Sequence, residues 1–132
     1  MKSFYLLCAP VLLAAGCAQV TQTAAVDPGT DTPASERVMQ QVRADYQAGR
    51  YGNVVRTVTL SGEIDGATRP TKVEAYKLQA FSYCLRDYRQ LCQESFMRIL
   101  YLDPTFDLAD NERGHPQWGP AFDSARGAVG KR

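Results

Sequence analysis

The chain has 132 residues, 45% of them hydrophobic and 22% charged, with 15 Lys plus Arg against 14 Asp plus Glu and a net charge of +1. That length fits one domain. The balanced charge supplies no field that would draw in nucleic acid or another polyanion. The first sixteen residues differ in kind: Lys2 is the only charge, and Phe4 to Gly16 are apolar. A positive start, a short apolar core and small residues at the end make the pattern of a secretory signal peptide. The run falls short of the roughly 20 apolar residues that cross a bilayer and contains Pro10. An uncleaved N-terminal anchor helix is the alternative.

Leu13-Ala14-Ala15-Gly16-Cys17 resembles the lipobox of bacterial lipoproteins in residue type, order and position. The resemblance implies diacylglycerol on the Cys17 sulfur, cleavage before it, acylation of the new amino group and a mature chain of residues 17–132. Two or three acyl chains hold a protein at a membrane far more firmly than one. Ala18 stands where inner-membrane retention in that family typically uses Asp, so the expected place is the outer membrane, lipid-anchored at its periplasmic face. Residues 17–34 then form the lipidated N-terminus and a flexible tether. From residue 18 on this stretch has almost no large apolar side chains and cannot offset its own chain entropy by burial.

Four cysteines take separate roles. Cys8 leaves with the signal, Cys17 carries lipid, and Cys84 and Cys92 remain in an oxidising compartment. A Cys84–Cys92 disulfide is expected, with two buried free thiols as the alternative. Eight residues of continuous helix rise about 12 Å, whereas a disulfide needs Cα atoms within about 7 Å. The bond therefore requires the chain to reverse between Leu85 and Leu91. One histidine and one remaining cysteine pair leave no expected zinc or other metal site.

The helical domain is expected over residues 35–132. Val38, Val42 and Tyr46 step at helical spacing from Ser35 on. Gly49 and Gly52 interrupt the run, Val54, Val55 and Val58 follow, and Ser61 to Gly66 read as a loop. Thr71 with Glu74 three residues on has capping-box spacing and predicts a helix start there. Tyr76, Ala80 and Tyr83, then Phe96, Ile99 and Leu100, continue the helical pattern until Asp103-Pro104 ends it. Phe106 and Leu108 read as loop anchors. Pro116 can open a last helix through Trp118, Phe122 and Ala125, unless Gly119-Pro120 delays it. No stretch alternates as a strand.

An offset of 37 residues aligns Met39 with Tyr76, Tyr46 with Tyr83, Tyr51 with Tyr88 and Val55 with Cys92. It also lays the Gly49–Gly52 break on Arg86 to Arg89, where the disulfide demands a reversal. Leu85 to Leu91 contain neither Gly nor Pro, so one long helix there is the alternative. Tyr76, Ala80, Tyr83, Cys92, Phe96 and Pro104 resemble the tetratricopeptide repeat in spacing. The first copy fits less well, with Arg43 at a small-residue position and Thr59 at an aromatic one. The resemblance implies an all-α fold: two tetratricopeptide-like helical hairpins plus a C-terminal capping helix carrying Trp118 and Phe122. It also implies a concave partner-binding groove lined by Arg37, Gln40 and Ala44 in the first copy and by Glu74, Lys77 and Phe81 in the second. The alternative is that these residues simply face solvent.

No catalytic constellation stands out. His115 has no nucleophile beside it in sequence, Glu63/Asp65 and Asp107/Asp110 are loop carboxylates, and no glycine-rich phosphate loop is present. No enzyme activity and no cofactor are expected; a cell-wall enzyme using His115 is the outlying alternative. The lipobox, tether, hairpin disulfide and His-Pro-x-Trp segment together resemble small lipoproteins associated with type VI secretion systems (the TssQ-like group). That layout implies a non-catalytic scaffold whose partners are the membrane, through its lipid, and an envelope protein of the secretion assembly. A pilotin-like assembly factor for an outer-membrane secretin or barrel is the alternative.

Overall fold

The computed structural model describes residues 29–131, and every regular element among them is helical. The signal segment, Cys17 and the tether as far as residue 28 lie outside the described residues. Helix α1 (Pro33–Gln47) starts where Thr32 and Ser35 exchange side-chain and backbone hydrogen bonds in a reciprocal cap, with Pro33 in its first turn. Proline costs nothing there, because the first N–H groups have no intrahelical partner. The helical domain thus begins before residue 35, and Thr30 to Ala34 belong to it rather than to a tether. The Thr30 amide donates to the Gly66 carbonyl at 3.0 Å.

The turn after α1 is a Schellman motif. Gly49 takes φ 72°, its N–H donates to the Tyr46 carbonyl, and the Arg50 N–H donates to the Asp45 carbonyl. Helix α2 (Tyr51–Leu60) then runs back. Helix α4 (Arg69–Leu85) ends in the same geometry. Asp87 takes φ 62°, its N–H donates to the Cys84 carbonyl, and the Tyr88 N–H donates to the Tyr83 carbonyl. Helix α5 (Arg89–Leu102) returns along α4. This break excludes one long helix through residues 85–91, and it brings the Cys84 and Cys92 Cα atoms to 5.3 Å in a disulfide. Glycine is the usual residue for positive φ; aspartate tolerates it because its short polar side chain bonds locally. The turns also close alike: a salt bridge joins Arg50 to Asp45 at 2.6 Å in the first, and Tyr88 meets Tyr83 edge-on at 6.3 Å in the second.

The equivalent turn residues, Gly49 and Asp87, are 38 positions apart. The 37-residue alignment is therefore one residue out of register at the turns. With the shift, Val42, Val54 and Val58 fall on Ala80, Cys92 and Phe96, all six buried. Arg43 no longer occupies an inward small-residue position, in keeping with its exposed side chain.

Three other element boundaries differ from the sequence expectation. The Ser61–Gly66 loop contains a short helix, α3 (Gly62–Gly66), whose first turn is capped by the Ser61 hydroxyl accepting from the Ile64 N–H. Its purpose is burial: Ile64 is wholly inside. Helix α4 starts at Arg69 after Thr68, not at Thr71, since Pro70 is as acceptable in the first turn as before it. The last helix, α6 (Gly119–Val129), starts after Trp118; Pro116 stays in the preceding turns.

Two apolar clusters share α4. Met39, Val42, Val54, Val58, Ile64 and Ala75 form the first. Phe81, Phe96, Ile99, Leu108, Trp118 and Phe122 centre the second. Tyr46 and Tyr76 pack against both. A buried amide bridges α2, α4 and α5: Gln79 donates to Thr59 at 2.9 Å and accepts from the Ser95 hydroxyl at 3.3 Å. Among the described residues no helix is long and apolar enough to cross a membrane.

Candidate functional site

Six residues were expected to line a groove, and the structure divides them. Arg37, Gln40 and Ala44 lie exposed on α1. Glu74 and Lys77 are half-buried on α4. Phe81 is not a groove residue: it is 3% exposed. Its ring stacks on Trp118 with centroids 4.1 Å apart and meets Phe96 edge-on at 6.1 Å. The chain between α5 and α6 has folded across α4 and taken that face. Lys77 reaches Glu112 of this segment at 2.8 Å, with its ammonium 5.8 Å from the Phe81 ring centre. The Trp118 indole N–H donates to the Glu112 carbonyl at 3.0 Å. His115 lies flat on Trp118 at 3.5 Å, and its Nδ1 accepts from the Gln117 N–H. His115 is thus occupied in fixing the turn ahead of α6.

What stays open is the upper part of the α1–α4 face. Arg43 of α1 and Glu74 of α4 form a two-pronged pair, Nε to Oε1 and Nη2 to Oε2, both 2.6 Å. The guanidinium holds the Glu74 carboxyl below its ordinary value, and the carboxylate raises the Arg43 pKa in turn. Both side chains keep over a third of their exposure, so the pair contributes at most about 1 kcal/mol. Its geometric effect matters more, because it forms a ridge between two depressions. One, of about 230 Å³, is lined by Asp31, Ser35, Glu36, Met39, Gln40, Arg43 and Thr71. The other, of about 330 Å³, has an apolar floor of Pro70, Val73 and Phe106 beneath Arg69, Glu74, Lys77 and Asp103. Gln40 thus lines the first depression and Glu74 and Lys77 the second; Arg37 and Ala44 border neither.

Sequence reasoning missed Arg43, because the 37-residue register turned it inward. It also missed Asp31. The Asp31 carboxylate accepts from the Thr68 N–H at 3.1 Å and from its hydroxyl at 2.7 Å. These bonds keep its pKa below the ordinary value, and they fasten the chain entrance to the start of α4. Gly29 just before it has φ 70°, and a Cβ there would stand 1.9 Å from the Ala67 carbonyl oxygen. Among the described residues no group of three or more His, Cys, Asp or Glu side chains is placed to hold a metal ion.

Among the described residues the fold and this face define an all-α arrangement of two helical hairpins, one disulfide-bonded, closed by a C-terminal helix, with a depression on either side of the Arg43–Glu74 pair. Compared with protein-family models, with curated proteins and with solved structures, the chain matches none.

Proposed function

We propose that the protein is a lipid-anchored envelope scaffold that holds a segment of a partner protein in the α1–α4 channel. The observation that carries this reading is the channel itself. It consists of two depressions at the Arg43–Glu74 pair: α1, the chain entrance and Thr71 line one, and α4 with Asp103 and Phe106 of the following segment lines the other, whose apolar part is Pro70, Val73 and Phe106. Apolar depressions edged by a few fixed polar groups are the usual form of a binding site. The repeat-like spacing of Tyr76 to Pro104 supports a binding role for this face, and the Leu13–Cys17 lipobox supports an anchor at the periplasmic face of the outer membrane. The layout favours a type VI secretion assembly as the setting, with a structural role and no chemistry of its own.

Two measurements test the reading. Intact-mass analysis of the protein from cell envelopes should find a chain starting at Cys17 with acyl chains attached; an unprocessed N-terminus removes the anchor. A photo-crosslinking residue in place of Gln40 should trap a membrane-side component of a secretion assembly. Trapping of a secretin or a barrel protein instead makes the protein a pilotin-like assembly factor.

A further inference from the structure

We propose that the corner formed by α3, the start of α4 and the end of α5 is a docking surface for phospholipid headgroups, so that this end of the domain lies against the membrane. The proposal rests on the lipid-anchor reading and adds an orientation and a second point of attachment.

The argument starts with where the chain enters. Thr30 bonds to Gly66, and Asp31 bonds to Thr68. Among the described residues the chain therefore enters the domain at the α3–α4 junction. Gly29 is twelve residues on from Cys17, a reach of at most about 40 Å when fully extended. The anchor thus leads to this junction, which lies at the opposite end of α1 and α4 from the turns at Gly49 and Asp87.

The surface beside the junction has the matching chemistry. A depression of about 310 Å³ is lined by Asp65, Lys72, Tyr76, Arg98, Tyr101 and Leu102. Lys72 and Arg98 have no ion-pair partner among the described residues. Asp65 is the single acid in the lining, so the site keeps one positive charge in excess. The Arg98 guanidinium lies 5.8 Å from the Tyr76 ring centre, and both side chains line the depression. Tyr101 is 50% exposed, and Leu60, the last residue of α2 at the same end, is 75% exposed. Tyrosine suits the boundary between water and hydrocarbon, with an apolar ring and a polar tip. Basic side chains at a membrane surface are drawn to anionic headgroups. Two cations beside a half-exposed tyrosine, at the end where the anchor enters, fit a phosphate-bearing lipid surface.

The test uses the full lipidated chain in nanodiscs of phosphatidylcholine with or without brominated phosphatidylglycerol. Tyr101→Trp and Tyr88→Trp are compared above the constant signal of Trp118. The expected result is quenching of Tyr101→Trp by the brominated lipid and none of Tyr88→Trp, which sits at the opposite end. Lys72→Ala and Arg98→Ala, checked for unchanged helical circular dichroism, should each lower the docked-to-free ratio about fivefold. Equal quenching at both positions, or none at Tyr101→Trp while mass spectrometry finds Cys17 acylated, overturns the docking surface and leaves the anchor standing. Protection of this corner by an acidic protein, without quenching, overturns it also. An unmodified Cys17 is a failure of the anchor reading itself, visible in the same mass spectrum.

Discussion

Phe81→Ala separates the sequence expectation from the structure. If Phe81 lined an open groove, its loss would remove binding and leave stability untouched. The structure places it beneath Trp118, with Phe96 and Tyr46 also against the ring. Truncating a buried phenylalanine costs about 3–5 kcal/mol through lost transfer energy and the cavity left behind. The stack on Trp118 belongs to the kind of ring pair worth about 0.5–1.5 kcal/mol beyond burial. A total of about 4 kcal/mol is a large part of the 5–15 kcal/mol that typically holds a domain together. For a domain near 100 residues, it lowers the melting midpoint by roughly 15 °C or more. Urea and thermal unfolding followed by far-ultraviolet circular dichroism measure the loss, and Trp118 emission should shift to the red as its cover goes. Phe81→Leu, which keeps most of the volume, should lose well under half as much. A Phe81→Ala midpoint within about 1 kcal/mol of the parent would refute the placement of the 103–118 segment on α4.

Replacing Cys84 and Cys92 together by alanine frees a loop of about eight residues, and the loop-entropy relation gives a cost of about 2.5 kcal/mol; equal urea midpoints for the oxidised protein and the double variant would count against this. Gly29→Ala forces a Cβ onto the Ala67 carbonyl, so it should release the entrance strand, and hydrogen exchange at Thr30 and Thr68 should speed up while the α4–α5 hairpin keeps its protection. The lowered pKa of Asp31 comes mainly from the Thr68 hydroxyl, and that of Asp45 from Gln41 and then Arg50. Both groups therefore add stability that is present above the ordinary aspartate value of 3.8 and lost as pH falls through the lower folded values. Asp31→Asn and Asp45→Asn should flatten the acid limb of the stability profile, and an unchanged limb would contradict these bonds. Gly49→Asp should cost about 1 kcal/mol and Asp87→Gly should recover a similar amount, because the left-handed conformation alone is exchanged; a Cβ at Gly49 meets nothing within 4 Å, and denaturant midpoints moving in the same direction for both variants would refute the equivalence of the turns.

The helices were legible where side-chain period and burial coincide. Val42, Val54, Ala80, Phe96 and Ile99 all lie in the core that their spacing anticipates. The disulfide was legible because the signal-like N-terminus led to the expectation of an oxidising compartment, where two cysteines eight apart have few other fates. The reversal at Asp87 carried no composition signal, since glycine marks a left-handed turn in sequence and aspartate does not. The bond requirement pointed to it, and so did the repeat alignment that lays the Gly49–Gly52 break on Arg86 to Arg89. The short helix at Ile64 was hidden for the opposite reason: Ser-Gly-Glu and Asp-Gly are turn chemistry, and one buried isoleucine fixed by tertiary contact outweighed them. Asp31 lay in a stretch whose composition reads as tether, and nothing local announces that its carboxylate caps an element 37 residues away.

The channel shows most clearly where pattern reasoning stops. Helical periodicity says that Phe81 lies on a face, but not which neighbour covers that face. The answer depends on a segment of irregular structure held to α4 by an ion pair and a ring stack whose partners are more than thirty residues away in sequence, and braced within itself by the Trp118 indole hydrogen bond to Glu112. The same segment decides how much groove remains. The site is therefore defined as much by what the chain covers, at Phe81 beneath Trp118, as by the depressions it leaves open on either side of Arg43 and Glu74.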